Sequence, residues 1–388
     1  MKKTLLAAAL LAGYTGTALA QNSVTLYGRI TPAYVFESVK LNDTAASTLN
    51  STSGTYNQFS PASGYVTGGN NIGFKGVEDL GNGLKVGFKY EFGFNGQTGV
   101  ESDQARESHV TVSNAAWGSL ELGYGYTASS TILSGISPVG TSYGVMSAED
   151  AFSVFSVSAG NQVKYFSPSI SGFTVGLSYS FKGTKATDSG GTVGESDFGT
   201  SNKNRLMVGG LRYANGPVLL AAAYTQLNPN QSEAVSDKNI KNWTVGGTYD
   251  LKVVKVHGAY GQNIDGIFEY DNSTFGDIKN PASPDVNPAD GIAANIRTNQ
   301  WMFGLSAPVG PGKALFSISQ LKPGGDLTLA KNAAGNDAFA TMTNFGVAYE
   351  YSLSKRTSIK ASYGYATNYA MISGLTVNQV GVGLQHVF

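Results

Sequence analysis

The sequence predicts an all-β protein, a transmembrane antiparallel β-barrel of about 16 strands with short periplasmic turns, long extracellular loops and one loop folded into the lumen. Three observations predict it. Apolar and small or polar residues alternate with strict period two in run after run, short and long connections take turns between those runs, and the chain closes on an alternating aromatic strand.

The chain opens with Met1, Lys2 and Lys3, an apolar run from Leu5 to Ala12, and Ala18-Leu19-Ala20. That is the layout of a secretory leader, so residues 1–20 are expected to be cleaved and the mature chain to begin at Gln21. The apolar run is too short for the ~20 residues that a spanning helix needs. Residues 21–388 read as a single barrel domain, because no linker or composition break divides them. With 13% charged residues, net charge zero and no cysteine among 388 residues, the composition argues against a disulfide-stapled scaffold and against a nucleic-acid partner.

The alternation is clearest in Leu84, Val86, Phe88, Tyr90, Phe92 and Phe94, set against Lys85, Gly87, Lys89, Glu91 and Gly93. It recurs in Phe173, Val175, Leu177, Tyr179 and Phe181, in Phe345 to Tyr351 and in Ile359 to Tyr365. Such segments match the roughly 9 to 11 residues of a tilted membrane strand. The short connections include 79–83, 214–217 and 354–356, and the long polar ones are expected at 37–69, 126–160, 183–203, 228–241, 264–297 and 322–341. An even strand number puts both termini on the periplasmic side. A soluble β-sandwich could also alternate. Glycine, serine, lysine and glutamate on the polar face suit a watery lumen better, and tyrosine and phenylalanine suit an interfacial girdle.

Landmarks in order along the chain resemble the Gram-negative trimeric general porins: Leu26-Tyr27-Gly28-Arg29, then Ile72-Gly73-Phe74-Lys75-Gly76-Val77-Glu78-Asp79-Leu80-Gly81, and Tyr90-Glu91-Phe92. Arg106-Glu107, Val163 to Phe173 and the final Val380 to Phe388 complete the series. Three departures stand out: Asn71 and Tyr124 replace basic residues of many relatives, and Pro138-Val139-Gly140 replaces a Pro-Glu-Phe-Gly stretch of the third loop. The resemblance implies an outer-membrane channel for passive diffusion of small hydrophilic solutes and ions into the periplasm, with a substrate-specific channel or an adhesin as the alternative. It further implies a homotrimer, contact with outer-membrane lipid and lipopolysaccharide, and engagement of the barrel-insertion machinery through terminal Phe388.

The resemblance also implies that the loop from about Thr127 to Gly160 narrows the pore, and Ile132, Leu133, Ile136, Val145, Met146, Phe152 and Phe155 suit it for packing on an inner wall. Glu149 and Asp150 are its only acids. Alternation places Arg29, Lys75, Lys89, Glu91 and Arg106 on the lumen face. If Lys89 and Glu91 cancel, basic charge leads and weak anion preference is expected. Glu107 and His109 are expected outward, at a subunit contact. His109, His257 and His386 lie on separate strands without cysteine, so neither catalysis nor a metal or other cofactor is expected.

Overall fold

The computed structural model describes residues 23–49, 51–61, 66, 68–96, 99–148, 150–155, 157–182, 205–228, 238–267, 296–332 and 334–388. The expected leader, Gln21, Glu149 and segment 183–203 lie outside the described residues, as do 229–237 and 268–295.

The first half of the wall runs through β1 (Ser23–Ile30), β2 (Ala33–Leu41), β3 (Gly54–Pro61), β4 (Asn70–Gly81), β5 (Leu84–Phe94), β6 (Glu101–Asn114), β7 (Gly118–Tyr126), β8 (Ser158–Phe166) and β9 (Phe173–Lys182). The second half continues with β10 (Arg205–Asn215), β11 (Val218–Asn228), β12 (Ile240–Asp250), β13 (Lys255–Ile264), β14 (Ile296–Val309), β15 (Gly312–Gly325), β16 (Met342–Ser352), β17 (Thr357–Thr367) and β18 (Leu375–Val387). All pairings are antiparallel between neighbours, and β18 returns to pair with both β1 and β2, which closes the sheet. β1 and β2 are one strand bent at Thr31-Pro32, and β3 and β4 are its broken neighbour, so the wall is a closed 16-strand barrel. Closure leaves no edge of unpaired backbone groups, which hydrocarbon could not satisfy.

Successive side chains alternate between lipid and lumen. Phe88, Leu122, Val175, Leu177, Leu211, Leu220, Val245, Phe303, Val347, Val380 and Val382 are exposed on the outside. A continuous apolar exterior of this kind suits a bilayer and would aggregate in water. Among the described residues no helix is long and apolar enough to cross a membrane; the strands do the crossing.

Turn chemistry follows position. Asn82 and Gly83 between β4 and β5 both have positive φ, 52° and 76°, as a two-residue hairpin twisted to match its strands requires. The expected long loop 37–69 is partly wall. Residues 37–41 belong to β2 and 54–61 form β3, where Glu37 lies opposite Gln58 and Val39 opposite Tyr56. The connection between Leu41 and Gly54 is a loop, and it carries the short helix Asp43–Thr48, whose Asn42 side chain accepts from Ala45 N at 2.8 Å.

A second departure concerns β6. Glu91 is opposite Glu107 while Phe92 is opposite Ala105, so Arg106 is an extra residue, a β-bulge. Arg106 and Glu107, though consecutive, both bond to inward-facing partners, Arg106 to Glu91 and Glu107 to Lys89. His109 lies directly opposite Lys89 and also faces the lumen. The expectation that Glu107 and His109 look outward is thereby overturned: one inserted residue reverses the parity of everything that follows it.

Candidate pore constriction

The long loop between Tyr126 and Ser158 lies inside the barrel. It starts with Thr127 N donating to Val157 O at 2.9 Å and Ala128 N to Ser178 Oγ at 3.2 Å. The helical turn Ala128–Ile132 then leads the chain across the inner wall. Ile132, Leu133, Ile136, Val145, Met146, Phe152 and Phe155 are all buried, as expected.

What they bury against is backbone. A Cβ at Gly176 would stand 2.9 Å from Ile132 Cγ1, one at Gly246 2.7 Å from Ile136 Cδ1, and one at Gly304 2.5 Å from Pro138 Cγ. A Cβ at Gly346 would stand 2.8 Å from Met146 Cβ, and one at Gly364 2.7 Å from Val145 Cγ2. Glycines of β9, β12, β14, β16 and β17 therefore form a track on which the loop lies. Polar ties fix it in place: Arg212 Nη1 donates to Ile132 O at 3.1 Å, and His257 Nδ1 to Ile136 O at 3.3 Å, with Ser306 Oγ 2.9 Å from His257 Nε2. At the far end Val145 N donates to Gln379 Oε1 at 2.9 Å, and the Tyr143 hydroxyl donates to Glu350. Burial, followed by the charge of Glu350, pushes the Tyr143 phenol well above its usual range, so it stays a donor.

The charged side chains gather on the wall away from this track. Glu91 accepts from Arg106 Nε, Tyr27 Oη and Asn71 Nδ2, each at 2.9 Å. Arg106 also donates to Tyr126 Oη at 3.0 Å. Lys89 pairs with Glu107 at 2.5 Å and stands 3.7 Å from Glu91. Glu107 meets His109 Nε2 at 3.1 Å, His109 Nδ1 lies 3.8 Å from Glu121, and Glu121 pairs with Lys164 at 2.7 Å. The result is a ladder of ion pairs and hydrogen bonds from β5 to β8. Asn71, one of the departures noted above, serves as a donor to Glu91 where a base would add charge.

Arg29 and Lys75 stand outside the ladder. Arg29 donates through Nη2 to Gly68 O, and Lys75 Nζ sits 5.1 Å from the centre of the Tyr27 ring. Neither makes an ion pair among the described residues. Of the expected loop acids, Asp150 lies half-buried in the inward loop and Glu149 lies outside the described residues. The expected cancellation of Lys89 by Glu91 is replaced by two tighter pairs, Glu91 with Arg106 and Lys89 with Glu107. Sequence reasoning missed Glu121 and Lys164, which alternation on β7 and β8 could have placed inward, and Arg212, whose partners are loop carbonyls. Among the described residues no cluster of His, Asp and Glu could hold a metal ion.

A closed barrel with a polar lumen, an apolar exterior and a loop laid across its bore is a transmembrane channel. A profile of the Gram-negative porin family matches residues 7–370, and the chain belongs to that family. An outer membrane porin protein of Bordetella pertussis is 34% identical over 405 residues, with all of both chains covered. Among solved structures, the anion-selective porin from Comamonas acidovorans matches with TM-score 0.64 and 22% identity over 95% of this chain and 100% of that one. OmpT, an outer membrane protein of Vibrio cholerae solved in a trimer form, matches with TM-score 0.55 and 16% identity over 95% of this chain and 99% of that one. The protein is thus an outer-membrane channel of a Gram-negative bacterium.

Proposed function

We propose that this channel passes small hydrophilic solutes and ions by passive diffusion, with a weak preference for anions. The observation that carries the sign is the distribution of ion pairs. Arg106, Lys89 and Lys164 are matched by Glu91, Glu107 and Glu121, whereas Arg29 and Lys75 have no carboxylate partner among the described residues and Lys313 and Lys360 share Glu350, a surplus that exceeds the one acid, Glu37, held by the amides of Gln58 and Gln379. Charges facing a narrow pore are poorly screened over the ~8 Å Debye length of physiological salt, so unmatched cations dominate the local potential. The name of the Comamonas acidovorans relative agrees with that sign.

The reading is tested by reversal potential across a salt gradient in a planar bilayer. Wild type is expected to favour anions weakly, more so at low salt. Arg29→Ala with Lys75→Ala is expected to move the potential toward cations, and an unmoved potential would refute the assignment of selectivity to these residues.

In this reading residues 21–388 form one domain after removal of 1–20, and the barrel works as a homotrimer, as the trimer form of the Vibrio cholerae relative suggests. Terminal Phe388 acts as the assembly signal. Val380, Val382 and Leu384 form an exposed alternating row that leads to it on the outside of the barrel. Deleting Phe388 is expected to lower the yield of heat-resistant trimer in the outer membrane. Undiminished yield would remove that role.

A further inference from the structure

A second stretch of chain leaves the wall. Between Pro61 and Asn70 the barrel strand is interrupted, and the bend opposite it is held by Asn70 Oδ1, which accepts from Thr31 N at 2.7 Å and from Thr31 Oγ1 at 3.0 Å. Val66, from the interruption, is fully buried on the lumen side. It packs with Ala33 and Val35 of β2, Leu315 of β15 and Ala348 of β16, together with Val139, Tyr143 and Met146 of the inward loop. Inward-facing Gly381 leaves room for it, since a Cβ there would stand 2.5 Å from Val66 Cγ2.

Two residues further on, Gly68 touches the same loop. A Cβ at Gly68 would lie 2.9 Å from Ser142 Oγ and 3.3 Å from Arg29 Nη1, and φ of 79° marks a backbone that bends here by design of the glycine. The Gly68 carbonyl accepts from Arg29 Nη2, while Arg29 Nε is buried without a partner. The guanidinium is therefore held by a carbonyl dipole, which orients it without neutralising its charge.

We infer that Val66 and Gly68 form a second constriction element, which clasps the inward loop and positions Arg29 as a lumen-facing cation with no carboxylate partner among the described residues. Pore width and charge are then set jointly by two segments far apart in sequence. Val66 supplies the apolar grip and Gly68 the close approach and the carbonyl. Arg29 is a positioned selectivity residue whose orientation depends on Gly68.

The inference rests on the channel reading, and its tests separate the two. The absence of native cysteine makes Gly68→Cys with Ser142→Cys a clean pair. Under mild oxidation this double variant is expected to lose both free thiols to maleimide labelling within a folded, heat-modifiable barrel. Free thiols in a folded barrel would overturn the juxtaposition.

Val66→Ser should loosen the grip while leaving the wall intact. In liposome swelling it is expected to admit larger oligosaccharides than wild type, and its reversal potential should move toward cations as Arg29 loses its hold. An unchanged size limit together with an unchanged potential would sink the second-element reading while leaving the channel standing. A wild-type protein that does not conduct would sink the channel reading first.

Discussion

The two sides of the lumen are built on opposite plans. From β9 to β17 the inner face carries glycine at the positions where the long loop passes, and the loop covers that side with apolar side chains. From β5 to β8 the inner face carries paired charge. A glycine track has no chemistry of its own until the loop arrives, and a charged wall cannot receive an apolar loop without burying unpaired ions. The difference teaches that the bore is made asymmetric by subtraction on one wall and by addition on the other, with the unpaired cations Arg29 and Lys75 on the additive side.

The comparison breaks most readily at the track. Gly346→Leu places branched carbon where Met146 Cβ already stands 2.8 Å from the added Cβ. Overpacking of this kind costs about 1–3 kcal/mol, and here the loop can escape into the open bore. We expect a folded barrel with altered conductance and noisy, multi-level traces in single-channel recording. Quiet wild-type conductance would mean that the loop does not depend on its track.

A smaller effect is expected on the charged wall from Glu91→Gln. The change weakens bonds from Arg106, Tyr27 and Asn71 together and leaves Arg106 without its nearest acid. Loss of one partner of a charge-assisted bond costs on the order of 1.5–3 kcal/mol, less where water reaches the group, and Arg106 is 31% exposed. The denaturant midpoint should fall modestly and anion preference should rise. An unchanged midpoint and potential would show that the ladder is merely solvated charge.

The smallest effect sharpens the point. Lys89→Met with Glu107→Gln removes one base and one acid that already cancel. Reversal potential should stay at the wild-type value, in contrast to the Arg29 and Lys75 double variant. A shift comparable to that variant would mean that pairing within the ladder does not decide which charges an ion meets.

Much of this plan is legible in sequence, and the losses have physical causes. Strands such as Leu84–Phe94 and Phe173–Lys182 are plain because one face meets lipid and the other water, so period two is sharp. β3 was hidden because Gly54-Thr55-Tyr56-Asn57-Gln58 offers no apolar face to read. Lumen positions for Arg29, Lys75, Lys89 and Glu91 follow from parity, but parity fails at the bulge on Arg106, and Glu107 and His109 were misplaced as a result. The inward loop could be picked out by its length and apolar content, whereas the glycine track could not, since an inward glycine reads as a small lumen residue until its neighbour across the bore is known. The clasp at Val66 and Gly68 leaves no pattern at all, because contacts between distant segments have no period.

One closing contact governs how the chain can come into being. Phe388 N donates to Gly28 O at 3.0 Å and Gly28 N donates to Phe388 O at 3.2 Å, so residues far apart in sequence are tied together where the wall closes. Until β18 is in place, the bent strand of β1 and β2 has one flank exposed, and a bilayer tolerates no such seam. Closure thus couples elements far apart in sequence, and the wall is not a tube until β18 has paired with the bent strand of β1 and β2.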